Sequence, residues 1–252
     1  MAKEYLSINT NSPDFPLIKK EGYFNCFDCY EEFVKVANQF FPDVLGIELL
    51  SERIGKNNRK DVLLKCSFSL EGYSNSPFYI FLIPLEGGGR FDYEQRLQIS
   101  PTYRWNPSLK SLGIINNFSH SEDRTAKECY ILGIYKSNPN DDKIVFCGFY
   151  PSTTLATFEY DEERLSTNSL QCRIESLQHA FLNGVSCDQT SNGFNISFTP
   201  QNLFWYMANR DQLHLGDLNK ITSLVESHAK SFKKFFSPLD DEPLQQIFYG
   251  AP

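Results

Sequence analysis

Basic charge is scarce in this sequence: of 252 residues, 24 are Lys or Arg against 31 Asp or Glu, a formal net charge of −7. A protein that coats nucleic acid without regard to sequence is basic overall, so that class is excluded and any DNA-reading face must be a concentrated patch. Long apolar runs are missing as well. None approaches the roughly 20 residues a membrane helix needs, and the opening MAKEYLSINTNS has no apolar core of a secretory signal. The chain is therefore expected in the cytoplasm, with no membrane partner. Histidine is limited to His120, His179, His214 and His228, at no metal-ligand spacing, and the C-x-x-C of Cys26 and Cys29 has no second pair to complete a zinc site. The odd total of seven cysteines fits reduced thiols better than a disulfide framework, so no metal and no disulfide is expected.

Catalytic motifs are absent too. There is no G-x-S-x-G elbow and no H-E-x-x-H pair. A metal-dependent nuclease of the PD-(D/E)xK kind would need two carboxylates and a lysine on adjacent strands. Pro42 and Asp43 provide a "PD", but Asp61 and Lys65 in DVLLK are separated by three intervening residues instead of one. These residues are expected to be non-catalytic. The segment LQQIFYGAP has the strand (Ile247, Phe248, Tyr249) and the first glycine (Gly250) of a phosphate-binding loop, without the second Gly, the Lys or the Ser that would cradle phosphates and magnesium. No nucleotide is expected at this half-motif, which reads as the boundary before a motor domain of a larger protein.

What is present is aromatic and β-rich. With 22 Phe and 13 Tyr and a hydrophobic fraction of 41%, the chain can bury a large core. Tyr30, Phe33, Val34, Ala37 and Phe41 recur at helical spacing in CYEEFVKVANQFF, and Pro42 stops that helix. The period then changes. DVLGIELL, DVLLKCSFSLEG, SPFYIFLIPLEGG, RFDYEQRLQIS, KECYILGIYKS, DKIVFCGFYPS and NGFNISFTP are short runs bounded by turn formers. A second helix is predicted in LSTNSLQCRIESLQHAFLNG, where Leu170, Ile174, Leu177 and Phe181 share a face and Gly184 ends it. A third is predicted over Asp217 to Phe236, with Asp217 as N-cap and an apolar stripe on which His228 reads as a core or rim residue. The fold class is mainly β with a few helices (α+β), a barrel or sandwich. Residues 1–199 form the β-rich unit, and residues 200–252 a helical linker ending at the partial phosphate loop.

The densest polar and aromatic stretch is EGGGRFDYEQRLQISPTYRWNPSLKS. Between Gly87 and Ser111 it carries Arg90, Arg96, Arg104 and Lys110 against Asp92 and Glu94, net basic in an acidic protein. On a strand, Arg96 and Gln98 share one face while Leu97 and Ile99 share the other. Arg can bind guanine and Gln adenine by paired hydrogen bonds in the major groove. In the following SPTYRWNPSLK, Thr102, Arg104, Asn106 and Lys110 are candidates for phosphates or bases, and Tyr103 and Trp105 for stacking. In the bland alternative, the aromatic rings plug the end of a barrel and the arginines pair with Asp92 and Glu94.

LDDEPLQQIFYGAP resembles the approach to the phosphate loop of McrB-type AAA+ GTPases of restriction systems. RFDYEQRLQIS, YILGIYK and KIVFCGFYPS resemble the recognition module of restriction- and methylase-associated proteins. The resemblance implies an N-terminal DNA-recognition domain, of the B3-type pseudobarrel used by LlaJI-type subunits, that binds double-stranded DNA and delivers a GTPase motor to it. It also implies, for the full-length protein, GTP and magnesium, a hexameric ring and an McrC-like nuclease partner. By resemblance one groove-gripping arm falls on Arg96 to Lys110, and the turn from Lys136 to Lys143 is a candidate for the other. Two alternatives stay open: a reader that flips a modified cytosine into a pocket lined by Trp105, Trp205 or Tyr103, and an oligomerisation or docking domain that never touches DNA.

Overall fold

The computed structural model describes residues 28–42, 44–54, 60–68, 77–87, 96–99, 129–136, 143–150, 170–190 and 193–236. Helix α1 (Cys29–Phe40) starts where the Asp28 carboxylate accepts from the backbone N–H groups of Tyr30, at 2.9 Å, and Glu31, at 3.3 Å. Lys60 holds the other Asp28 oxygen at 2.7 Å and so ties the start of the helix to the sheet. Phe33 and Ala37 turn inward as their spacing predicts, and Val36 is buried with them, whereas Val34 is only half-buried.

Among the described residues ten strands follow the helix: β1 (Leu45–Ile54), β2 (Lys60–Phe68), β3 (Phe78–Pro84), β4 (Glu86–Gly87), β5 (Arg96–Ile99), β6 (Cys129–Lys136), β7 (Ile144–Phe149), β8 (Leu170–Arg173), β9 (Val185–Thr190) and β10 (Gly193–Phe198). Helix α2 (Ile174–Asn183) lies between β8 and β9; a 3-10 turn (Pro200–Asn202), α3 (Leu203–Leu215) and α4 (Leu218–Phe236) follow β10. The seven-stranded sheet has the order β1-β2-β3-β6-β7-β10-β9, and a three-stranded sheet has the order β4-β5-β8. The fold is mixed α and β with an open sheet, compatible with a pseudobarrel and not a closed barrel. Among the described residues all pairs are antiparallel except β3 with β6, where Tyr79 faces Cys129 and Pro84 faces Ile134.

The central strands are buried on both faces, which is why they read as nearly continuous apolar runs. Phe78, Ile80 and Leu82 of β3 enter one core with Phe33, Phe146, Phe198, Tyr206 and Val225. Tyr79, Phe81 and Ile83 enter the other with Leu85, Cys147, Cys172 and Leu177. Helices α1, α3 and α4 cover the first face, and α2 with β8 covers the second. The residues after position 200 thus share the sheet's core: Leu203, Tyr206, Leu213, Ile221 and Val225 are all buried in it. No helix among the described residues is long and apolar enough to cross a membrane.

Candidate nucleic-acid interface

The small sheet is created by a change of direction at Leu85. Its N–H still bonds the Ile134 carbonyl at 2.8 Å, but the next residues leave the large sheet and pair with β5. The turn needs room. A Cβ on Gly133 would stand 2.8 Å from Leu85 Cγ, so glycine in β6 is what lets the Leu85 side chain pack there. Strand β5 then sits between β4 and β8, with Arg96 opposite Arg173, Leu97 opposite Cys172 and Gln98 opposite Gln171. Cys172 lies in the core, so the Leu97 register position belongs to the core side. The Arg96 and Gln98 positions alternate with it.

Cross-strand placement of two arginines is unfavourable by itself, since like charges directly opposite repel. Arg173 is stabilised by Asp188 of β9. Its Nε lies 3.4 Å from the carboxylate and its backbone N–H donates to the same group at 3.3 Å, while the Arg173 side chain stays about a third exposed. Asp188 is buried, so this pair also fixes the end of the large sheet against β8. The result is a small sheet with two Arg and two Gln at paired register positions, the side-chain types that read guanine and adenine edges.

Of the residues expected from the sequence to contact DNA, Arg96 and Gln98 are on β5. Arg90, Thr102, Tyr103, Arg104, Trp105, Asn106 and Lys110 lie outside the described residues, as do Gly250 and the partial phosphate loop. Lys136 is not at the surface. It is 2% exposed with its Nζ 2.9 Å from Glu32 Oε1, a buried ion pair between β6 and α1, so it is a core residue and no arm for the groove. Trp205 has one face occupied, because the His228 ring stacks on it at 4.1 Å and 9°. Arg173 and Gln171 were missed because residues 165–184 read as one helix. Strand β8 takes the first part, and the alternation Leu170, Gln171, Cys172, Arg173 is the signal that could have shown it.

Other buried polar groups are bonded within the described fold. His214 donates from Nδ1 to the Phe194 carbonyl at 2.7 Å, and its Nε2 accepts from the Tyr206 hydroxyl at 3.0 Å, which requires the neutral imidazole. Burial pushes the His214 pKa down to about 4 and raises that of Tyr206. Burial likewise pushes the thiols of Cys66 and Cys129 up to about 12, far from the thiolate a nucleophile needs. Cys29, the described half of the C-x-x-C, is fully buried. Asp61 is buried while Lys65 pairs with Glu48 at 2.8 Å on the exposed side. Among the described residues no group of three or more His, Cys, Asp or Glu side chains could hold a metal ion.

Comparison with known proteins gives one family. The model of the methylase-associated X1 family matches residues 77–207, more than half of the chain and the whole path from β3 through the small sheet to the start of α3. No curated protein and no solved structure matches.

Proposed function

The chain belongs to the methylase-associated X1 family, and on that premise we propose that it is the DNA-recognition module of a restriction-modification system, reading duplex DNA with the small sheet and the segments around it. The observation that carries this reading is the register that sets Arg96 against Arg173 and Gln98 against Gln171. A strand pair can enter the major groove, where paired donors on Arg and the amide of Gln distinguish guanine and adenine from the other bases. A phosphate between the two arginine positions would relieve their repulsion and supply the positioning contact that groove readers need. The acidic remainder, net −7 over the chain, disfavours indiscriminate attachment and makes affinity depend on this patch.

In the same reading Arg90, Arg104 and Lys110 serve phosphates, Thr102 and Asn106 serve phosphates or base edges, and Tyr103 and Trp105 stack. These residues bind and do not catalyse. A finer reading, in which the module serves an McrB-like GTPase with GTP, magnesium and an McrC-like nuclease partner, rests on the likeness of LDDEPLQQIFYGAP to that family's lead-in.

The test is fluorescence-anisotropy binding to a randomised duplex pool, unmodified and cytosine-methylated, followed by sequencing of the retained fraction. Enrichment of one short motif, weakened at least tenfold by Arg96→Ala and by Arg173→Lys, is the expected result. Retention of no DNA by a folded protein at low salt would overturn the proposal.

A further inference from the structure

A cleft of about 590 Å3 opens at the end of the large sheet where α1, α2 and α4 converge over the start of β7 and the 3-10 turn. Three aromatic rings reach it, Phe40 from α1, Phe181 from α2 and Phe232 from α4. Its size falls within the range of small-molecule sites, about 300–1,000 Å3. It lies at the far end of α2 from the small sheet, and of the positions offered to DNA above its walls use only Lys143, the end of the turn that is the candidate second arm.

The charge in this cleft has a definite sign. Glu32 is the one carboxylate among the described lining residues, and it is already bridged by Lys136 at 2.9 Å from behind and by Lys35 at 3.0 Å from the rim. Lys143 contributes a second rim cation. Its ammonium stands 5.3 Å from the centroid of the Phe181 ring, so positive charge and an aromatic face are adjacent. Two exposed amides, Gln39 and Gln201, face the same space, and each offers both a donor and an acceptor. Aromatic walls favour a planar ring, the amides favour polar atoms on its edge, and the compensated carboxylate leaves an attraction for anions.

We infer that this cleft binds a planar, anionic ligand of mononucleotide size, with its ring at the Phe181 and Phe232 wall, its ring edge at Gln39 and Gln201, and its phosphate at Lys35 and Lys143. Such a ligand has two sources with the same chemistry, a free nucleotide and a single nucleotide turned out of a DNA strand. Because Phe232 belongs to α4, a ligand here also bears on the helix that closes this side of the core. The inference does not depend on the small sheet and can stand if the DNA-reading proposal fails.

Isothermal titration calorimetry of the full chain with dCMP, dAMP, the matching nucleosides and inorganic phosphate tests the binding. A duplex carrying 2-aminopurine at varied positions tests the source. Lys35 and Lys143 are both exposed, so the Lys35→Gln/Lys143→Gln variant should fold, as circular dichroism would verify. Saturable binding of a monophosphate is expected, at least tenfold weaker for the nucleoside, for inorganic phosphate and for the double variant. If 2-aminopurine emission rises with the wild type and not with the double variant, the nucleotide comes from the strand; unchanged emission with monophosphate binding assigns a soluble nucleotide. Absence of both signals, equal binding of phosphate and monophosphate, or binding unaffected by the double substitution would each overturn the inference.

Discussion

Lys136 and Glu32 meet at 2.9 Å with 2% and 8% of their side chains exposed, an ion pair closed between β6 and the first helix. Removing one member of such a pair leaves the other charge in a medium that solvates it poorly. Lys136→Met is therefore expected to destabilise the fold by about 3–5 kcal/mol. Glu32→Leu/Lys136→Met, which removes both charges, should recover most of that loss. Urea unfolding of the three proteins checks this; a double variant no more stable than the single one would mean that the pair is not the cause.

The His214 imidazole titrates far below its ordinary range because burial opposes its charged form. The unfolded chain takes up this proton near pH 6.5 and the folded chain only near pH 4, so stability is complete above pH 6.5 and falls as the pH drops towards 4. About 2 kcal/mol should disappear between pH 6.5 and 5 from this group alone. His228, half-buried and bonded to Asn202 Oδ1 at 2.6 Å, is shifted in the same direction by burial and adds to the trend. Thermal unfolding across that window should be clearly less pH-dependent in His214→Gln than in the parent.

Gly184 ends α2 with φ at +86°, and a Cβ there would stand 2.5 Å from Phe232 Cδ1 and 2.9 Å from Asn202 Nδ2. Gly184→Ala carries a backbone cost of about 1–2 kcal/mol in that left-handed region. It also displaces the Phe232 ring. A double-mutant cycle with Phe232→Ala should show coupling of about 0.5 kcal/mol or more. Strict additivity would mean that α4 yields without cost at this point.

Salt dependence distinguishes the two things Arg96 could do on DNA. If it neutralises a phosphate, Arg96→Ala should lower the slope of log affinity against log salt by about 1 and weaken all sequences alike. If it reads a guanine, the slope should hold while discrimination at one position falls by about 1–3 kcal/mol. Titrations at several salt concentrations on the enriched motif and its single-base variants decide between them.

Much of the fold was legible because its strands are buried on both faces. FYIFLIP, CYILGIYK and IVFCGF carry apolar side chains into both cores, and such runs have few other destinations. Strand β9 was not legible. VSCDQT turns polar groups inward, with Ser186 bonded to Ser176 and Asp188 to Arg173, so its buried face does not look apolar. Helix α3 escaped for a related reason. LFWYMANRDQLHL buries Tyr206 and His214 in a polar contact and Leu203 and Leu213 beside them, without a clean apolar stripe.

The sequence by itself determined the acidic charge, the first and last helices, the β-rich class and the concentration of Arg, Gln and aromatic residues around Arg96, because composition and periodicity are local properties. Tertiary structure alone decided that β3 lies parallel to β6, that Arg173 comes opposite Arg96, and that Lys136 points into the protein towards Glu32. The partners in these pairings are about fifty to a hundred residues apart in the chain. Only the packing of the whole sheet brings them together, and nothing in the local pattern around either partner records the other.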